Sequence, residues 1–236
     1  MKETDRILIQ DDHWTPFRNE VFQRVWGQLK QDYAAALYAI LYDRFYHHRS
    51  HFTRGSLAKL LTWAHLDEDE LGDSLIELQE RKLVTLEKIS ASHRHTGELR
   101  LKVPLAAPFD LKDGNWTPIP RFLIRKYIPA YPDSVLLLLL LHYQHLSWEN
   151  DCYPGKLTLS GKIGWPHIRV GDAVGTMSGS DRWKKIATRL PRPLSTELRP
   201  LHNGTVTHYH LRAVRYEKKK DGARMRLRKS ALERFG

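Results

Sequence analysis

Apolar positions follow helical and then extended spacing along the first half of the chain. In residues 1–104 this pattern predicts four helices, at residues 17–30, at 32–46, after the capping residue Thr53, and from Asp67 to about Lys82. Glu70, three positions after Asp67, is the reciprocal partner expected at such a helix start. Two extended runs, 83–89 and 98–103, predict a β-ribbon after the last of these helices.

The second half repeats this order with one interruption. Its predicted helices lie at residues 118–127, at 132–148, at 159–165 behind the capping residue Thr158, and at 181–190. Extended runs at 196–201 and 205–214 predict a ribbon that turns at 202–204. Residues 171–180 are rich in Gly, Thr and Ser, and we interpret them as an insertion before the last helix. The apolar run 135–141 is far shorter than the roughly 18 residues that span a bilayer, so it predicts a buried helix.

Two sequence echoes relate the halves at a single offset. Trp14-Thr15-Pro16 recurs as Trp116-Thr117-Pro118, and residues 56–66 recur as residues 158–168. Both pairs are displaced by 102 residues, which indicates a duplicated structural unit. We therefore expect a first domain at 1–104, a linker at 105–115, a second domain at 116–214 and a basic tail at 215–236.

The order helix, helix, turn, helix and ribbon is that of a winged helix-turn-helix. The predicted fold class is therefore mainly α with small β-ribbons (α+β), arranged as two tandem winged helix-turn-helix domains. The pair Trp63 and His65 and its counterpart Trp165 and His167 fall in the two turns, where we expect them to pack.

Charge separates the two halves. The formal net charge of the chain is +11. Residues 1–105 hold 15 Lys and Arg against 16 Asp and Glu, whereas residues 106–236 hold 23 against 11. A basic excess in one half favours a polyanionic partner for that half, most often nucleic acid. The single cysteine, Cys152, excludes an intrachain disulfide, and with no apolar leader at the N-terminus we expect a cytoplasmic protein.

The third helix of a helix-turn-helix enters the major groove, so its charge indicates which half reads DNA. In the first half this helix is acidic, which favours a protein interface formed by Asp67, Glu68, Asp69, Glu70, Asp73 and Glu77. The alternative is a DNA contact through the first ribbon, with Lys88, His93, Arg94 and His95. In the second half the predicted DNA-binding residues are Lys156, Lys162, Arg169, Arg182, Lys184, Lys185, Arg189, Arg192, Arg199, Arg212, Lys218, Lys219 and Lys220. The alternative there is a solvated charged surface, and the tail is equally a phosphate-tracking arm or a solvated end.

Candidate chemistry is sparse. His208 and His210, followed by Tyr216, match the residue types of a metal-dependent nickase, but the tyrosine follows too closely for that arrangement. His47 and His51 have the i, i+4 spacing of metal ligands, and His48 lies beside them, but no further ligand accompanies them at a convincing spacing. We therefore expect no enzymatic activity, no metal and no cofactor.

Short phrases add a family resemblance. The Leu-Gln-Glu-Arg-Lys-Leu-Val segment at 78–84 resembles the end of the third helix and the start of the first wing strand in winged helix-turn-helix proteins. The Trp-Thr-Pro-Ile-Pro segment at 116–120 and the tandem arrangement resemble winged-helix replication initiators of plasmids and phages. The resemblance implies binding of double-stranded DNA at repeated or palindromic sites, with self-association. A transcriptional regulator fits the same features. A non-enzymatic adaptor subunit of a nucleoprotein machine, such as an RNA-guided or transposition complex, remains the alternative.

Overall fold

The computed structural model describes residues 13–48, 51–53, 68–88, 98–147, 151–187, 189–201, 204–212, 214–219 and 222–227. It is an α+β structure of helices and small antiparallel sheets. The labelled helices are α1 (Ala34–His48), α2 (Glu68–Glu80), α3 (Leu136–Ser147), α4 (Lys156–Ile163), α5 (His167–Ser178) and α6 (Ser180–Ile186). The strands are β1 (Trp14–Arg18), β2 (His51–Thr53), β3 (Thr85–Lys88), β4 (Glu98–Lys102), β5 (Trp116–Pro120), β6 (Leu194–Leu201), β7 (Gly204–Leu211), β8 (Val214–Lys219) and β9 (Gly222–Leu227).

The two sequence echoes pair with each other. Strands β1 and β5 form a two-stranded antiparallel sheet in which Pro16 lies opposite Pro118 at the centre. The hydrogen bonds just beyond the sheet follow the same symmetry: the Asn19 amide donates to the Asn115 carbonyl, and the Arg121 amide donates to the His13 carbonyl. Both the donors and the acceptors are related by the 102-residue offset. A local pseudo-twofold axis therefore passes between the two prolines.

Three successive elements repeat at this offset. After the paired strands, each half forms a π-helical turn, at Val21–Val25 and at Leu123–Tyr127. The long helices α1 and α3 then begin at residues 34 and 136. Each π turn buries an apolar face, and the helices that follow are buried over most of their length. The duplication predicted from the sequence is thus present in the backbone.

Each half contributes packing to the other. The π turn of the first half and the 3₁₀ turn after it (Trp26–Gln28) pack on α4, whereas the π turn of the second half packs on α1. Phe22 stacks on His142 of α3, with ring centroids 4.6 Å apart. Burial, together with the neighbouring charges of His145 and Lys162, lowers the pKa of His142 to about 4, so this ring is neutral at pH 7. The buried core is therefore continuous across both halves.

Two glycines allow the closest approach between the halves. A Cβ at Gly27 would lie 2.6 Å from the carbonyl oxygen of Gly161, and one at Gly164 would lie 2.6 Å from that of Leu29. Gly164 also has φ of 76°, which ends α4 in the left-handed region. Here the turn between α4 and α5 lies against the backbone of the first half.

Several predicted elements are confirmed. The helix expected at 32–46 is α1, and the helix expected to follow Asp67 is α2. Both predicted ribbons form, as β3 with β4 and as β6 with β7. The apolar run 135–141 is fully buried at the start of α3. The first of the two predicted turns, at residues 64–66, lies outside the described part of the chain.

Other expectations are wrong. Residues 17–18 and 118–120, predicted as helical, belong to β1 and β5, because the strands satisfy each other's backbone groups. Thr53 lies in β2, which pairs with β4. Helix α4 begins at Lys156 with Gly155 as its N-cap, so Thr158 lies inside it and does not cap it. Residues 171–180 are no insertion, because most of them belong to α5.

Strands β8 and β9 lie almost entirely in the segment predicted as a basic tail. Residues 214–219 and 222–227 pair as the β8–β9 hairpin. The domain and linker boundaries given above remain a prediction from the sequence.

We expect Gly164→Ala to destabilise the protein by about 2 kcal/mol, because the added Cβ meets a backbone oxygen and the left-handed conformation strains a non-glycine residue. Urea unfolding monitored by circular dichroism measures this change. Gly175→Ala is the matched control: this helical glycine has open space around it, so alanine should stabilise by about 0.5–1 kcal/mol. Equal effects at the two positions would contradict the proposed close approach.

Candidate nucleic-acid interface

Helix α6 and the segment after it present a basic surface. Arg182, Lys184 and Lys185 of α6 are exposed, and so is Arg189 beyond its end. Arg182 and Lys185 are three positions apart and therefore neighbours on one helical face. Within the described residues, none of these four side chains forms an ion pair. We call these four residues the α6 basic surface.

Aromatic packing holds the α6 basic surface in place. Trp183, on the inner side of α6, is buried and stacks on Tyr127, with ring centroids 5.6 Å apart. Its indole Nε1 donates to the Leu190 carbonyl at 2.8 Å, and the Tyr127 hydroxyl donates to the Pro191 carbonyl at 3.0 Å. Arg192, predicted to bind DNA, donates to the Ser178 carbonyl at the end of α5. The segment that carries the exposed cations is therefore fixed to the core at Trp183 and at residues 190–191.

The helix that follows the turn after α4 is α5, and not α6 as predicted from the sequence. Helix α6 is an additional helix after α5. The buried residues of α5 have helical spacing: Val170, Ala173, Val174 and Met177. The 102-residue offset from α2 also predicts a helix at this place. These two signals were sufficient to predict α5. The Gly, Thr and Ser content of residues 171–180 instead led to their interpretation as an insertion.

The exposed positions of α5 are poor in positive charge. His167, Ile168 and Asp172 are exposed, and His167 is therefore not packed in the turn as expected, although Trp165 is buried. Arg169 forms ion pairs with Asp32 of the first half and with Asp133. Its guanidinium also stacks over Trp165, 4.2 Å from the ring centroid. Arg169 was predicted to bind DNA, but its charge is used inside the protein, where it joins the two halves.

The remaining predicted DNA-binding residues are scattered. Lys156 is exposed at the start of α4, and Lys162 is half-buried with its Nζ donating to the Gln23 carbonyl at 3.4 Å. Arg199 forms ion pairs with Asp151 and Glu197, which compensate its charge. Arg212 is exposed just after β7, Lys218 and Lys219 lie in β8, and Lys220 lies outside the described residues.

The acidic helix α2 has two different faces. Asp69, Glu70 and Asp73 are exposed, as predicted for an interface, and the exposed stripe continues through Ile76 and Glu80. Asp67 lies outside the described residues, and Glu68 is the first residue of α2. Leu71 and Leu78 are buried on the opposite side. The exposed face therefore carries carboxylates around an apolar residue.

Glu77 does not belong to that exposed face. It is buried, and its carboxylate accepts hydrogen bonds from the backbone amides of Lys30 and Gln31, both at 2.8 Å, and from Arg81 Nε at 2.9 Å. Although burial opposes ionisation, the hydrogen bonds from Gln31, Lys30 and Arg81 lower the pKa of Glu77. Its placement in the protein interface was wrong: Glu77 fastens α2 to the chain that leads into α1.

A buried carboxylate cluster was not predicted from the sequence. Asp43 of α1 accepts a hydrogen bond from Thr15 at 2.5 Å and another from Arg125 Nε at 3.0 Å, and Arg121 Nε lies 3.3 Å away. His47 lies 3.0 Å from the Thr15 hydroxyl, so this candidate metal ligand belongs to the cluster. The cluster joins β1, α1 and the start of the second π turn. Only the pairing of the two halves brings these residues together.

The candidate chemical residues have other partners. His48 Nε2 lies 3.4 Å from Arg125 Nη2, and His51 lies in β2. In the ribbon, His208 Nδ1 lies 2.7 Å from Asp151, whereas His210 Nε2 lies 3.4 Å from Glu197. Tyr216 lies in the next strand, β8. Among the described residues, no three His, Cys, Asp or Glu side chains are grouped so that they would hold a metal ion.

Comparison of the chain with protein-family models, curated proteins and solved structures finds no match. In the part of the chain that is described, none of the helices has the length and apolar character needed to cross a bilayer.

We expect Glu77→Gln to destabilise the protein by about 1–3 kcal/mol at pH 7, because it removes a charge that accepts two backbone hydrogen bonds and an arginine. Since the folded-state pKa of Glu77 is lowered, its stabilisation is present above the ordinary value of 4.5 and is lost as the pH falls below it. The stability difference between Glu77→Gln and wild type should therefore shrink at low pH. Urea unfolding at several pH values measures this difference.

The control for this experiment is Glu80→Gln on the exposed face of the same helix, which should change stability by less than about 0.5 kcal/mol. A Glu77→Gln variant as stable as Glu80→Gln would show that the buried contacts do not hold α2.

Proposed function

We propose that the chain is a non-enzymatic protein that binds double-stranded DNA, as a replication initiator or a transcriptional regulator. The observation that carries the proposal is the α6 basic surface: Arg182, Lys184, Lys185 and Arg189 are exposed, and no ion pair within the described residues compensates them. DNA carries one negative charge per about 1.7 Å, so adjacent cations on a fixed support are suited to phosphate contacts.

Rigid support strengthens this assignment. The Trp183 and Tyr127 hydrogen bonds hold the segment on both sides of Arg189, so little conformational freedom is lost when phosphates bind. Helix α6 packs on α5, and α5 in turn packs on α4 and on strand β6. Because α5 exposes little positive charge, the proposed contact uses α6 for phosphates, and the exposed start of α5 is left for base edges.

A second function draws on α2. Its exposed carboxylates are unsuited to a DNA groove and suited to a basic protein surface, which supports an adaptor subunit in a nucleoprotein machine. Affinity for different duplexes separates the two functions: an initiator or regulator prefers its own site, whereas an adaptor binds random and cognate duplexes equally. Footprinting on DNA from the protein's own locus makes this comparison, and the absence of a protected site at moderate salt would contradict the first function.

We expect Arg182→Gln combined with Lys185→Gln to weaken duplex binding at every sequence, because both side chains are assigned to phosphates. The slope of log affinity against log salt should become shallower by about 2, one unit for each cation removed from a phosphate. Fluorescence anisotropy with a labelled duplex at several salt concentrations measures this slope.

The matched control is Lys30→Gln combined with Lys112→Gln, which removes the same charge from exposed positions in other parts of the structure. The control should keep the wild-type slope. If both double variants lower the slope equally, binding follows net charge, and the assignment to the α6 basic surface is wrong.

A further inference from the structure

Two exposed helical faces of this chain are complementary. On α2, Asp69, Asp73 and Glu80 form a stripe with Ile76, since positions 69, 73, 76 and 80 are separated by one turn or nearly so. Ile76 is 53% exposed, which is a large apolar side chain left in water among acids. Within the described residues, Asp69, Asp73 and Glu80 form no ion pair. We call these four residues the α2 acidic stripe.

The α6 basic surface has the same design with the opposite charge. Ile186, one turn after Arg182 and next to Lys185, is 44% exposed. Each face is therefore an exposed isoleucine flanked by charges of one sign. When two such faces meet, the isoleucines leave water and the charges pair at the rim, which is the arrangement of a protein interface with an apolar centre and a polar rim.

We propose that the α2 acidic stripe docks on the α6 basic surface of a second copy of this chain. The occupant is argued from charge complementarity: the chain itself carries both faces, and each face has the charge that the other lacks. Each face also exposes an isoleucine that the other can cover. Because the two faces differ, the contact is heterologous, and a pair of chains joined in this way still presents one free face of each kind. Association therefore proceeds head to tail and not as a closed dimer.

In this contact the partner of the α2 acidic stripe is a second copy of the chain. A competition between DNA and that copy follows only if the proposed DNA-binding function holds. Arg182 and Lys185 are assigned both to phosphates and to the second copy, so duplex DNA and a neighbouring chain compete for the α6 basic surface. The contact between chains itself does not depend on DNA, and the experiment below is performed without nucleic acid, so it fails or succeeds separately from the DNA proposal.

The test uses two reciprocal charge reversals of the full chain. One variant combines Asp69→Lys with Asp73→Lys, and the other combines Arg182→Glu with Lys185→Glu. In sedimentation velocity, the wild type should show a weight-average mass that rises with protein concentration and falls with added salt, because the rim charges are screened. Each variant alone should remain a monomer, with self-affinity weakened at least about tenfold by the repulsion of like charges.

The decisive measurement is made on a mixture of the two variants. The first variant keeps the basic surface and the second keeps the acidic stripe, so the mixture regains one wild-type contact and should form heteromers. Control variants with equal charge changes at other exposed positions, Glu20→Lys with Asp113→Lys and Lys30→Glu with Lys112→Glu, should associate as the wild type does. A wild type that stays monomeric at all concentrations, variants that still self-associate, or a mixture that stays monomeric would each overturn the proposal.

Discussion

The rest of the structure depends on the antiparallel pairing of β1 with β5. These are the two copies of one short sequence, and each supplies the backbone hydrogen bonds that the other lacks. The pairing around Pro16 and Pro118 places the π turn of each half against a helix of the other half. The first π turn packs on α4 and the second packs on α1. The buried core then becomes continuous across both halves.

Polar residues make this exchange specific. Thr15 and Thr117 occupy equivalent positions, and each hydroxyl donates to a buried acceptor: Thr15 to Asp43 and Thr117 to Asn19. The partners differ between the halves, because Arg121 stands at the position equivalent to Asn19 and lies against Asp43. A buried charge without its partner destabilises a fold strongly, so these unlike clusters specify which half lies on which side.

The duplication also explains how the surfaces diverged. Equivalent backbones carry acidic residues on α2 and a mostly neutral face on α5, while the added helix α6 exposes three basic residues. Core positions are constrained by packing in both halves, whereas exposed positions are free to change sign without disturbing the core. One scaffold can thus present an acidic and a basic surface on the same chain, and both the proposed DNA contact and the proposed contact between copies use that difference.

The sequence alone determined the repeat, the helices α1 and α2, both ribbons and the buried run that begins α3, because periodic apolar spacing and a fixed offset are local signals. It also located the exposed basic residues Arg182 and Lys185. Only the tertiary structure decided that residues 14–18 and 116–120 are strands, since each needs the other as its hydrogen-bonding partner. The roles of Arg169 and Glu77 were decided in the same way, because both were predicted as surface charges and both bind groups distant in sequence. Arg169 pairs with Asp32, and the Glu77 carboxylate accepts hydrogen bonds from the Lys30 and Gln31 amides. The sequence determines the sign of each charge. Whether that charge faces water or a buried partner depends on which distant segments fold against it.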